Sequence, residues 1–148
     1  MTSGYLVDTS VFIAAEQGRR VGEPPAGDAR ISVATLTELI VGTRRAPEGP
    51  PRTLRMTTLG RARSFIALAY DEAVAERLGE LLAAARASGR RAGAMDAIIA
   101  ATAAVHDLTV WTQDDDFEVL AGLLPGLPVQ QGRADPAELP PRHPQRPV

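Results

Sequence analysis

The 148-residue chain reads as one α/β domain, a mainly parallel four- to five-stranded sheet with helices on both faces. Three observations predict this. Short apolar runs of strand length alternate with longer stretches of helical periodicity. The composition, 45% hydrophobic and 23% charged, is that of an ordinary globular domain, and a chain of this length buries roughly 70% of its unfolded surface on folding. Finally, acids stand directly after strands. In an open parallel sheet that position is the carboxyl edge, where such folds bind ligands.

The elements follow in order. The first strand is expected at residues 5–8, with Thr9 or Ser10 capping the next helix. Residues 18–27 are a polar, Pro/Gly-rich connection, and residues 29–33 a second strand. Thr35-Leu36-Thr37-Glu38 fits a capping box at a helix start. That helix carries Leu36, Leu39 and Ile40 on one face and fades near Arg45. A Pro/Gly-rich loop at 46–52 leads to a helical piece at 52–63 and a third strand at 65–69. Asp71 caps the longest helix, 72–88, in which Val74, Leu78, Leu81, Leu82 and Ala85 recur at helical spacing. After a break at 88–93, a helix over 94–106 buries Met95, Ile98, Ile99, Thr102 and Val105. A fourth strand at 108–112, a short helix at 114–122 and an edge strand at 128–131 complete the domain, which is expected to span 1–131. Residues 132–148 read as a Pro-rich, poorly ordered tail. Right-handed crossovers place the strand ends Asp8, Val33, Ala69 and Thr112 on one edge.

Several function classes are excluded by composition. There is no cysteine, hence no disulfide, thiolate metal site or cysteine nucleophile. A net charge of −2 argues against a strongly basic nucleic-acid binder. All 16 basic residues are arginine, so any mechanism that needs lysine is closed. No basic leader precedes an apolar stretch and no run approaches a membrane span, which points to the cytoplasm.

Four acidic positions converge on the predicted edge. Asp8 ends the first strand, Glu38 and Asp96 lie in the first turns of their helices, and Asp114, with Asp115 and Asp116, follows the fourth strand. Each alone has an ordinary use, because helix first turns favour acids. Together, set among apolar runs, they are costly unless a cation neutralises them. The face Asp96, Ala100, Ala103 bears only small side chains and predicts close approach of another group. Carboxylates without His or Cys make a hard-oxygen site that suits Mg²⁺ or Mn²⁺. The chemistry such a site serves most directly is metal-assisted phosphodiester cleavage.

The segments Leu-Val-Asp8-Thr-Ser, Thr-Glu38-Leu, Met-Asp96-Ala-Ile-Ile-Ala-Ala-Thr-Ala and Val-Trp-Thr112-Gln-Asp114-Asp-Asp116-Phe resemble, in order and spacing, the PIN-domain nucleases, and among them the VapC-type toxins of type II toxin–antitoxin systems. The resemblance runs from about residue 4 to 131. It implies a Rossmann-like fold, a Mg²⁺- or Mn²⁺-dependent endoribonuclease, a homodimer, an RNA substrate and a cognate VapB-like antitoxin. It assigns the acidic quartet to Asp8, Glu38, Asp96 and Asp114, with Asp8, Asp96 and Asp114 as metal ligands. Asp116 also matches the last motif, which leaves the division of labour between Asp114 and Asp116 open, while Asp115 is expected to face solvent. Thr9, Ser10 and Thr112 match hydroxyl positions that orient carboxylates.

Arg44 and Arg45 follow Glu38, and Arg90 and Arg91 precede Asp96, so either pair is a candidate contact for RNA phosphates or for the antitoxin. Gly42, on Glu38's face, reads as a helix-end glycine. Trp111 reads as core, and neither His106 nor His143 is placed as a catalytic base. Phosphatases of the haloacid-dehalogenase type and response-regulator receivers also begin with an Asp after a first strand, but both need a lysine. The phosphatases also need a second Asp where this chain has Ser10. The remaining alternative is a non-catalytic PIN-fold binding or scaffold protein, which predicts the loss of at least one acid.

Overall fold

The protein is described by a computed structural model covering residues 3–133. Expectations for His143 and for the tail beyond Arg133 lie outside those residues. The sheet is five-stranded and wholly parallel, in the order β3-β2-β1-β4-β5. Its strands are β1 (Gly4–Val7), β2 (Asp28–Ser32), β3 (Ile66–Leu68), β4 (Thr109–Thr112) and β5 (Val129–Gln131). Six helices connect and cover them: α1 (Thr9–Glu16), α2 (Val33–Arg45), α3 (Pro50–Ala62), α4 (Glu72–Ala87), α5 (Ala94–Val105) and α6 (Asp116–Leu123).

Strand alternation divides the core in two. Leu6 and Val110 face a layer containing Leu81, Ala97, Ile99, Ala100, Ala103, Phe117 and Leu120. Val7, Ile31 and Trp111 face the other way, onto Val11, Phe12, Leu39, Leu59 and Ala62. Trp111 is therefore core, in an edge-on contact with Tyr5. Burial of both sheet faces explains why the central strands are short apolar runs without a polar alternation.

The local chemistry agrees at most element ends. Asp71 caps α4 by accepting from the Val74 amide. Gly49, at φ 100°, turns the chain into α3 ahead of two prolines, a backbone conformation that L side chains avoid. Other expectations are corrected. The cap of α1 is Asp8 and neither hydroxyl after it, because Asp8 stays extended and accepts from the Ser10 amide. Helix α2 begins two residues before the expected capping box: Ser32 caps it through the Ala34 amide, so Glu38 sits in the second turn. The small-residue face of α5 is not open, since Ala100 and Ala103 are fully buried and let the helix lie close against the core. Leu82 and Ile40, expected to face inward, are more than one-third exposed, and Gly42 lies within the last turn of α2.

Candidate active site

The parallel pairing of β1 with β4 matches Val7 to Trp111, which sets Asp8 beside Thr112 one residue further on. Asp8 is 2% exposed. Its Oδ2 accepts from the Ser10 hydroxyl at 2.6 Å, the Thr112 hydroxyl at 2.9 Å and the Ser10 amide at 3.3 Å. Burial raises the pKa of Asp8, and the hydroxyl and amide donors pull against that rise. Both hydroxyls also reach the loop after β4. The Gln113 amide donates to Ser10 Oγ and the Asp114 amide to Thr112 Oγ1, each at 2.9 Å. Ser10 and Thr112 thus fasten that loop to the first strand's acid.

Glu38 projects from α2 toward the same edge. Its Oε1 accepts from the Thr9 hydroxyl at 2.6 Å, and Thr9 Oγ1 lies 3.3 Å from the hydroxyl of Thr35, which is fully buried. Burial raises the Glu38 pKa, Thr9 lowers it, and Asp8 and Asp114 raise it again by repulsion. Thr35, expected as a cap, instead supports Thr9. Its three-residue offset from Glu38 on one helix face was the available signal.

Asp96 stands in the first turn of α5, after Gly93. Its pKa is pushed up to about 7, first by burial and then by the charges of Asp8, Asp114, Glu38 and Asp116. Across from it, the Asp116 amide donates to Asp114 Oδ1 at 2.9 Å, a side-chain turn that starts α6. One carboxylate oxygen each from Asp96, Asp114 and Asp116 lies within 4.8 Å of the others. Asp8 is outside that triplet but close enough for its charge to raise both Asp96 and Glu38. Asp115 is exposed and pairs with Arg133 at 2.6 Å. Among the described residues, the ion pairs involve none of Asp8, Glu38, Asp96, Asp114 and Asp116.

The arginines divide. Arg91 lines a cavity of about 90 Å³ with Gly93, Asp96 and Asp116. Arg45 shares a groove with Glu38, Gly42 and Arg55. Arg44 faces a separate groove with Ile40 and Met56, and Arg90 lies in a third with Leu82 and Arg86. His106 ends α5. Gln113 and Gln131 also belong to the site's support. The Gln131 amide nitrogen donates to the Asp114 carbonyl at 3.3 Å, and Gln113 braces the same loop from its side chain. A glutamine's role depends on which backbone groups surround it, and no local pattern announced it.

A parallel sheet whose carboxyl edge gathers five acids, with no lysine in the chain, defines an α/β protein with an all-acidic site. The chain belongs to the PIN-domain family, whose model matches residues 5–123. Among known proteins it is 41% identical over 118 residues to Ribonuclease VapC5 of Mycobacterium tuberculosis, spanning 79% of this chain and 87% of that one. It is 38% identical over 116 residues to Ribonuclease VapC4 of the same organism, spanning 78% and 89%. Among solved structures, the crystal structure of VapBC-5 from Mycobacterium tuberculosis, a member of the VapBC family of toxin–antitoxin systems, superposes with a TM-score of 0.74 at 35% identity. The match covers 89% of this chain and 99% of that one. VapBC2 from Rickettsia felis, bound to a promoter DNA fragment, has a TM-score of 0.70 at 18% identity over 86% and 98%, a likeness of fold. No helix among the described residues is long and apolar enough to cross a membrane.

Proposed function

We propose that this chain is the toxin of a toxin–antitoxin pair, an endoribonuclease that hydrolyses RNA phosphodiester bonds at a divalent-cation site. The observation that carries the reading is the convergence of Asp96, Asp114 and Asp116 oxygens within 4.8 Å, without an ion pair among the described residues and with buried Asp8 close by. Burial first, and then repulsion from Asp8, Asp114, Glu38 and Asp116, raises the pKa of Asp96 to about 7, a cost that a bound cation would relieve. An all-oxygen donor set fits Mg²⁺ or Mn²⁺. Asp96, Asp114 and Asp116 would hold the ion, with Asp8 behind them.

When bound, the cation supplies a lowered pKa for the attacking water and charge relief at the phosphate. The protein's own residues do the rest. Ser10 and Thr112 orient Asp8 and hold the Asp114 loop to it. Thr9 fixes Glu38 on the other side, where its raised pKa suits it to exchange a proton near the scissile group. Arg91 and Arg45, at the two flanks of the acids, are the candidate phosphate contacts. The names of the VapC relatives support the RNA substrate, and the VapBC structures support a VapB-like antitoxin as partner. The homodimer is part of the same proposal.

The test is RNA cleavage with Mg²⁺ or Mn²⁺, with mapping of the new 5′ ends. Asp8→Asn and Asp96→Asn are each expected to abolish cleavage and growth arrest while circular dichroism and melting show a folded protein. Full activity in either variant would overturn the assignment of the acids, and a wild type that binds no Mn²⁺ and leaves RNA intact would leave a non-catalytic PIN scaffold as the better reading.

A further inference from the structure

Resting on the reading of the acids as a cation site, we propose that Arg133 is a positioning residue that sets which acids of the run Asp114-Asp115-Asp116 face the site. Three consecutive carboxylates repel one another, and successive side chains of an irregular loop can exchange directions with a small backbone rotation. Something has to select Asp114 and Asp116 as the inward pair.

The segment after β5 provides it. The Gly132 amide donates to the Thr112 carbonyl, the Gly22 amide donates to the Gly132 carbonyl, both at 2.6 Å, and Arg133 forms an antiparallel bridge with Val21. This strap lies against Trp111 so closely that a Cβ on Gly132 would sit 2.8 Å from Trp111 Nε1. From the strap, Arg133 reaches back over the acidic loop. Its Nε and Nη2 donate to the Gln113 carbonyl at 3.2 and 3.1 Å, and Nη2 donates to Asp115 Oδ1 at 2.6 Å. The Gln113 side chain donates to the Gly132 carbonyl at 3.0 Å, tying the loop to the strap a second time.

The loop is thereby held from two sides. Ser10 and Thr112 accept the amides of Gln113 and Asp114 on the inner side. Arg133 takes the Gln113 carbonyl and the Asp115 carboxylate on the outer side. With Asp115 drawn outward, its neighbours Asp114 and Asp116 present oxygens to Asp96. Asp115 is then the loop's anchor, and its charge serves Arg133. A guanidinium is suited to this because its planar fork serves carbonyl and carboxylate together, which a lysine ammonium does not.

The experiment compares full-length wild type, Arg133→Ala, Asp115→Ala, the double variant and Arg133→Lys. Calorimetry with Mn²⁺ alone is expected to show affinity reduced about tenfold in both single variants, at the lower end for residues that orient ligands. The double variant is expected to be no worse than either single one, and Arg133→Lys to recover little. Amide exchange at Asp114 and Asp116 is expected to quicken in the same variants. Unchanged exchange and Mn²⁺ affinity in Arg133→Ala overturn the inference. So does a raised KM for RNA in Arg133→Ala that Asp115→Ala does not share, since that makes Arg133 a direct phosphate contact. If the wild type binds no Mn²⁺, the cation-site reading fails, and the exchange measurement alone decides whether Arg133 holds the loop.

Discussion

Asp96 shows how the site acts on the whole protein's stability. Its pKa lies near 7 in the folded chain against 3.8 for an unperturbed aspartate. Between those values the folded state binds more protons than the unfolded one, so stability declines as pH rises from about 4 to about 7 and levels off above. Burial raises Asp8 and Glu38 in the same direction. The metal-free protein is therefore expected to melt at a higher temperature at pH 5 than at pH 8. Asp96→Asn is expected to flatten that dependence and to raise melting at pH 8. With the partial exposure of Asp96 discounted, the gain is on the order of 1–2 kcal/mol, roughly 3–8 °C. The same substitution is expected to abolish cleavage, so melting and cleavage measured on one variant separate the residue's chemical role from its cost to the fold. A melting temperature in Asp96→Asn below wild type at pH 8 contradicts this account.

At the scale of elements, the start of α2 controls the placement of Glu38. Ser32 is fully buried at the end of β2 and accepts the Ala34 amide at 3.1 Å. Because the helix starts there, Thr35 comes beneath Thr9, and Glu38 follows one turn later on the same face. Ser32→Ala leaves a buried amide without its acceptor and is expected to cost about 1 kcal/mol, within the range for lost caps. Chemical denaturation measures this directly. A secondary loss of activity is expected through Glu38, smaller than that of Asp8→Asn. The start of α6 is similarly consequential. Its first amide is taken by Asp114, so the side chain that starts the helix is also a member of the acidic triplet.

At the scale of the molecule, the parallel order β3-β2-β1-β4-β5 brings together acids that are far apart in sequence. Asp8 and the Asp114 loop come from the central, adjacent strands β1 and β4, while Glu38 and Asp96 lean in from helices on either side of the sheet. The segment after β5 belongs to this assembly. Gly132 and Arg133 are hydrogen-bonded to β4, to the 19–22 segment and to Asp115. Truncation after Gln131, which removes the strap, is therefore expected to weaken Mn²⁺ binding relative to truncation after Arg133, which keeps it. Equal behaviour of the two truncations would show that the strap contributes nothing.

Much of this protein could be read from its residues in order. The alternation of apolar runs and helical periodicity determined the parallel α/β class, because buried strands and amphipathic helices leave different spacings. The acids Asp8, Glu38, Asp96, Asp114 and Asp116 stood out for a related reason: each alone could serve a helix start, but several charges set among apolar runs at one sheet edge are costly without a cation. Helix starts were less legible. Asp8, Ser32 and Thr35 all have cap-competent side chains, and the choice among them depends on which backbone stays extended when the strands pair. What only the tertiary structure decided is which oxygens meet. Asp96, Asp114 and Asp116 form the close triplet, Asp8 stands behind them with Oδ2 held by three donors, and Asp115 turns outward to Arg133. Those outcomes rest on hydrogen bonds between residues up to 104 positions apart. Such contacts exist only once the sheet has closed, so no local pattern in the chain carries them.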